Sequence, residues 1–140
     1  MSVDSDPNIT AKADFRIQLI DGQIVVVDGD GKKGGNVSRK QDKKLVWVNE
    51  TGGTCTLTFY RMLPAEEPGP DPLAWPFGEP PAPAGCAVTL PTGGNPSSNR
   101  FEGRLSRVAE AECYKYTIDV VKNGVAYHLD PMIIVRPVYN

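Results

Sequence analysis

"ECYKYTIDVVKNGVAYHL", residues 112–129, decides the fold class. Tyr114, Tyr116, Ile118 and Val120 share one parity, and Cys113, Lys115, Thr117 and Asp119 share the other. Side chains of an extended chain alternate between two faces, so this pattern predicts a strand with one buried and one solvated side. Lys122-Asn123-Gly124 ends the run, and Asn-Gly suits the two positive φ angles of a tight hairpin turn. "VAYHL" then reads as the returning strand.

The same signals recur upstream. "FRIQLI" and "QIVVVD" flank Asp21-Gly22 and predict a first hairpin. "GDGKKGGNVSRKQD", residues 29–42, is too rich in glycine and charge for a core element and reads as a loop. In "KKLVWVNE" both parities are apolar, so that strand is expected to be covered on both sides. In "TCTLTFYRM" Cys55, Leu57 and Phe59 alternate with threonines, which predicts a buried, inert Cys55 and leaves Cys113 as the solvent-facing thiol. "CAVTL" (86–90) reads as a short strand, "PTGGNPSSN" as a loop, and "RFEGRLSRV" as a strand with a bulge at Gly103. About eight short strands, no helical period and no internal repeat indicate a single-domain all-β sandwich or barrel.

At 140 residues, 40% apolar and 23% charged, the chain is expected to bury one core without staples. Residues 1–12 read as a flexible tail and 13–140 as the domain. A net charge of −2 offers no global attraction to nucleic acid, which is not an expected partner. With no signal-like start and no apolar run long enough to span a bilayer, the expectation is a cytoplasmic protein that makes no membrane contact. Three cysteines without a CxxC pair are expected to be reduced.

From about residue 13 onward the order of elements resembles the cupredoxin-like β-sandwich: an N-terminal hairpin, the "VWVNETGG" strand and turn, a long variable loop, and a tyrosine-bearing strand closing on "DPMIIV". The resemblance implies an antiparallel Greek-key sandwich. It also implies a copper loop carrying Cys, His and Met between the last two strands. This chain has only His128 and Met132 there, no cysteine at that place, and no histidine after "VWVN". The ending "YHLDPMIIV" is similar to that of PixA/AidA-type inclusion-body proteins, a family without a settled biochemical role.

If residues 128–132 continue as a strand, His128 and Met132 share a face but lie roughly 13 Å apart, too far for one metal unless Pro131 bends the chain. A blue-copper site also needs a thiolate and normally a second histidine, and His128 is the sole histidine. No metal or other cofactor is therefore expected. "DGDG" (28–31) starts like a calcium loop but continues with Lys32, Lys33 and Arg39 where an EF-hand needs oxygen ligands and glycine, so it reads as a turn. With no GxSxG elbow, no phosphate-binding glycine motif and no paired ligands, the chain reads as a non-enzyme. Glu66, Glu67 and Asp71 read as hydrated loop acids, and a Cys113–His128 dyad is not expected, since the hairpin register puts Cys113 near the far end and His128 near the turn.

Two segments point to a protein-interaction or assembly module. Residues 63–85, "LPAEEPGPDPLAWPFGEPPAPAG", hold eight of the thirteen prolines and read as a long insertion. On it Trp75 and Phe77 are either interface anchors on a stiff backbone or a cap folded back over the sandwich end. Taken as a contact loop, residues 66–83 are expected to be removable with the fold intact. Lys32, Lys33, Arg39 and Lys40 form a basic stretch suited to an acidic partner. The alternative function is a divergent copper or electron-transfer domain using His128 and Met132.

Overall fold

The computed structural model describes residues 14–28, 34–63, 69–92, 99–108 and 110–137. Eleven strands occur among them: β1 (Phe15–Ile20), β2 (Gln23–Asp28), β3 (Val37–Lys40), β4 (Lys44–Asn49), β5 (Thr54–Arg61), β6 (Phe77–Glu79), β7 (Ala87–Leu90), β8 (Arg100–Leu105), β9 (Glu112–Lys122), β10 (Val125–Leu129) and β11 (Met132–Arg136). They form two sheets, in the order β2-β1-β4-β8-β6 and β3-β11-β9-β5-β7, with β10 also paired to β9. The all-β reading holds, as do both predicted hairpins. Asp21 and Gly22 have φ of 51° and 75°, Asn123 and Gly124 of 52° and 78°, the left-handed pair that matches strand twist.

The sheets are mixed, which corrects the expectation of purely antiparallel pairing. β1 pairs parallel with β4, and β11 parallel with β3. A two-residue turn forces antiparallel neighbours, whereas a chain that passes through the opposite sheet returns in either direction. Between β1–β2 and β4 the chain visits the second sheet as β3, so the stretch read as one loop, 29–42, contains a strand. Four residues of alternating exposure carry too little local signal, and β3 is held by its distant partner β11.

The core lies between the sheets and is aromatic at its centre. Trp47 of β4 is fully buried and meets Phe15 and Tyr116 at 5.3 Å, Phe59 at 5.9 Å, Phe101 at 6.0 Å and Phe77 at 6.1 Å between ring centroids. Its Nε1 donates to the Tyr116 hydroxyl (3.2 Å), which in turn donates to the Gly35 carbonyl (2.5 Å). Both buried polar groups are thereby satisfied. Burial holds the Tyr116 hydroxyl well above its usual ionisation range and pushes the Cys55 thiol up to about 12, so Cys55 is inert as expected.

The Pro-rich segment is not wholly a loop. β6 pairs with β8, and Leu73 forms an isolated bridge with Tyr60. Phe77 is 4% exposed, and Trp75 packs against the core at 5.3 Å from Phe59 and 5.1 Å from Phe77. Both rings therefore lie in the fold-back arrangement. Gly103 is not a bulge, since β8 keeps unbroken register with β4. Instead a Cβ there would stand 2.5 Å from the Phe77 ring, so Gly103 makes the room that Phe77 fills. The irregularity sits opposite, between Phe77 and Glu79.

Candidate functional site

β9 aligns the site. On one side Thr58 pairs with Thr117 and Tyr60 with Lys115 of β9, and Thr56 with Asp119. On the other side His128 of β10 pairs with Asp119, and Met132 of β11 with Lys115. Continuing that register across the link places Asp130 beside Thr117. These residues share the outward parity of the second sheet and make three rows: Thr56, Asp119, His128; then Thr58, Thr117, Asp130; then Tyr60, Lys115, Met132.

A depression of about 410 Å³ opens on this face, lined by Tyr60, Lys115, Thr117, His128 and Asp130, with Pro70 and Asp71 of the Pro-rich segment at its edge. His128 is held from two sides, its Nδ1 2.6 Å from an Asp119 oxygen and its Nε2 2.8 Å from an Asp130 oxygen. Lys115 lies 3.9 Å from Asp71 and 5.9 Å from the centroid of the Tyr60 ring. Asp71 also accepts the Leu63 backbone N–H at 2.9 Å. Leu73 and Met132, 52% and 38% exposed, stand next to this polar patch through their pairing with Tyr60 and Lys115.

The hydrogen bond to Asp119 raises the His128 pKa above 6.5, aided by the charge of Asp130 and opposed by partial burial. We expect the His128 ring resonances to titrate above 6.5, and to move back toward it in Asp119→Asn. A raised folded pKa stabilises the fold below the unfolded value, and that contribution is lost as pH rises through the folded value. Because the pair is about half exposed, solvent screens the effect, so ring titration by NMR is the measurement and not global unfolding.

The sequence-predicted residues do not converge. His128 and Met132 occupy opposite rows, as a continuing strand requires, and each His128 ring nitrogen already faces a carboxylate. Cys113 pairs with Ile134 far along β9 from Asp119. These residues do not fit a shared copper centre, and among the described residues no three His, Cys, Asp or Glu are arranged around a metal-sized space. Arg39 is engaged internally, with Nη1 3.2 Å from Asp14 and donating to the Lys44 carbonyl at 2.7 Å. Lys40 is exposed on β3. Lys32 and Lys33 lie outside the described residues, as does the tail read at 1–12. Phe77 is buried, so the folded surface presents at most the half-covered Trp75, whose Nε1 donates to the Pro80 carbonyl at 2.8 Å.

Sequence reasoning missed Asp119, Asp130 and Thr117. For His128 and Asp119 the signal lies in the parity of "KYTIDVV" and the Asn123-Gly124 turn, which set those two strands against each other; the pairing with β5 and the approach of Asp71 have no such local trace. Compared with protein-family models and with curated protein sequences, the chain matches none.

Proposed function

We propose that this protein is a non-enzymatic interaction or assembly module whose contact surface is the outer face of the second sheet, where the Pro-rich segment meets the His128 strand. The observation that carries the reading is the depression itself: a polar floor flanked by exposed Leu73 and Met132, the mixture of apolar contact and oriented polar groups that protein interfaces use. Lys40 on an edge strand contributes the basic part of the surface and blunts that edge against unwanted pairing. The non-enzymatic reading takes its support from His128, both of whose ring nitrogens are already held by carboxylates and so are not turned toward a nucleophile. We also take the two mixed sheets, with the N-terminal hairpin in one and the tyrosine strand in the other, as a copper-free, Greek-key relative of the cupredoxin-like class.

The test is recovery of tagged protein from its native cells at moderate salt, beside a Leu73→Asp variant shown by circular dichroism to be folded. A protein partner in near-stoichiometric amount, or a second copy seen by light scattering, that is lost with Leu73→Asp supports the proposal. A monodisperse monomer that brings down nothing across several salt concentrations sinks it.

A further inference from the structure

β10 and β11 lie end to end along one side of β9, β10 against residues 118–122 and β11 against residues 112–115. The far side of this lane is only half covered. β3 runs beside residues 133–136, and its ladder stops where the Asn36 side chain accepts the Met132 N–H at 2.8 Å. Beyond that point the lane is an edge. The two-residue turn at Asn123-Gly124 closes on a hydrogen-bonded Lys122–Val125 pair, so Val125, Tyr127 and Leu129 turn their backbone groups to β9, whereas Ala126 and His128 turn theirs outward. Among the described residues no backbone group pairs with those outward groups. β2, the edge of the other sheet, runs near β10 without forming a ladder with it.

An open edge offers its N–H and C=O groups to another strand, and the chain guards its other edges. β3 carries Arg39 and Lys40, β6 ends at Glu79 before Pro80 in irregular register, and β7 ends before Pro91. On β2 the Val26 carbonyl accepts the Gly34 N–H at 3.0 Å. "VAYHL" holds no lysine, arginine, acid or proline. Apolar side chains flank it, with Val125 49% exposed and Val121, the β9 neighbour of Ala126, 53% exposed.

We propose that the β10 edge receives a second copy of this chain, the two β10 strands pairing antiparallel about a two-fold axis at Tyr127 and joining the two second sheets into one. In that register Ala126 and His128 of one copy exchange both backbone bonds with His128 and Ala126 of the other, because the outward groups alternate with the same period on both. The side chains fit the same axis. Tyr127 meets its own counterpart as an aromatic cross-strand pair, and Leu129 covers the half-exposed Val125. Charge is also compatible: His128 is held by Asp119 and Asp130 of its own copy and faces the small Ala126 across the axis, so no like charges are directly opposed. A foreign strand has the same backbone groups to pair with, but self-pairing matches every residue of β10 about one axis. The edge is a different surface from the depression beside Leu73, and pairing there leaves the outer face of each copy open.

The test is sedimentation equilibrium of the full chain from about 1 µM to about 1 mM, with residue-resolved amide hydrogen exchange at both ends of that range. One short strand makes a small interface, so a dimer with a Kd on the order of 100 µM is expected. The Ala126 and His128 amides are expected to exchange at least about tenfold more slowly in the concentrated sample. Ala126→Pro removes an N–H that the β9–β10 ladder does not use, so it is expected to keep the circular dichroism of the fold and weaken pairing at least about tenfold. Ala126→Lys guards the edge by charge and is expected to act in the same direction, which keeps the test intact if the proline variant unfolds. Leu73→Asp is expected to leave the pair in place. A monomer at about 1 mM, a dimer whose Ala126 and His128 amides stay unprotected, or a dimer indifferent to both Ala126 variants overturns the proposal. A partner that Leu73→Asp abolishes, found alongside a monomer, leaves the interaction-module reading standing, so the two failures are distinguishable.

Discussion

Trp47→Ala is expected to lower folding stability by about 3–5 kcal/mol, the range for removing a large buried aromatic. That is a large part of the 5–15 kcal/mol typical of a whole domain, so the variant should be largely unfolded at moderate urea. Trp47 has no exposed surface and five ring neighbours drawn from both sheets, so its loss opens a cavity that no single strand can close. Trp47→Phe separates packing from polarity. It keeps much of the ring volume and removes the Nε1 bond, while the Tyr116 hydroxyl still donates to Gly35. A smaller loss, about 1–2 kcal/mol, is expected from equilibrium denaturation. Equal losses in the two variants would mean that the hydrogen bond, and not the packing, dominates.

Phe77→Ala is expected to cost about 3–5 kcal/mol as well, an effect on stability that a loop residue would not have. The ring makes edge contacts at 5.2 Å with Phe59 and 5.4 Å with Phe101, and it fills the space left by the absent side chain of Gly103. Alanine would leave a cavity there, with the β8 backbone at Gly103 on one side. It follows that deleting residues 66–83 removes β6, Trp75 and Phe77 together and should abolish cooperative unfolding. This is the opposite outcome to the expectation that the segment can be cut away with the fold intact, and urea denaturation of the deletion variant decides between them. A stability change below about 1 kcal/mol for Phe77→Ala, measured by urea denaturation, would restore that expectation. For binding experiments the informative changes are at Asp71 and Leu73, whose side chains reach the outer surface.

What the sequence alone determined is what depends on neighbours a few residues apart. The period-two runs from Phe15, Thr54 and Glu112, and the turns at Asp21-Gly22 and Asn123-Gly124, follow from side-chain alternation and local dihedral preference. The fate of the thiols follows from the same parity, with Cys55 buried and Cys113 exposed. Weakly patterned segments were decided elsewhere. β3 exists because β11 offers it a partner, and β6 because Phe77 finds a gap beside Gly103. The candidate site belongs to this second kind. Its rows join side chains across three strands and add Asp71 from a segment whose proline content reads as a free loop. A strand's own sequence states which face each residue takes, but only pairing between strands decides which residues meet on that face, because the register is a property of the assembled sheet.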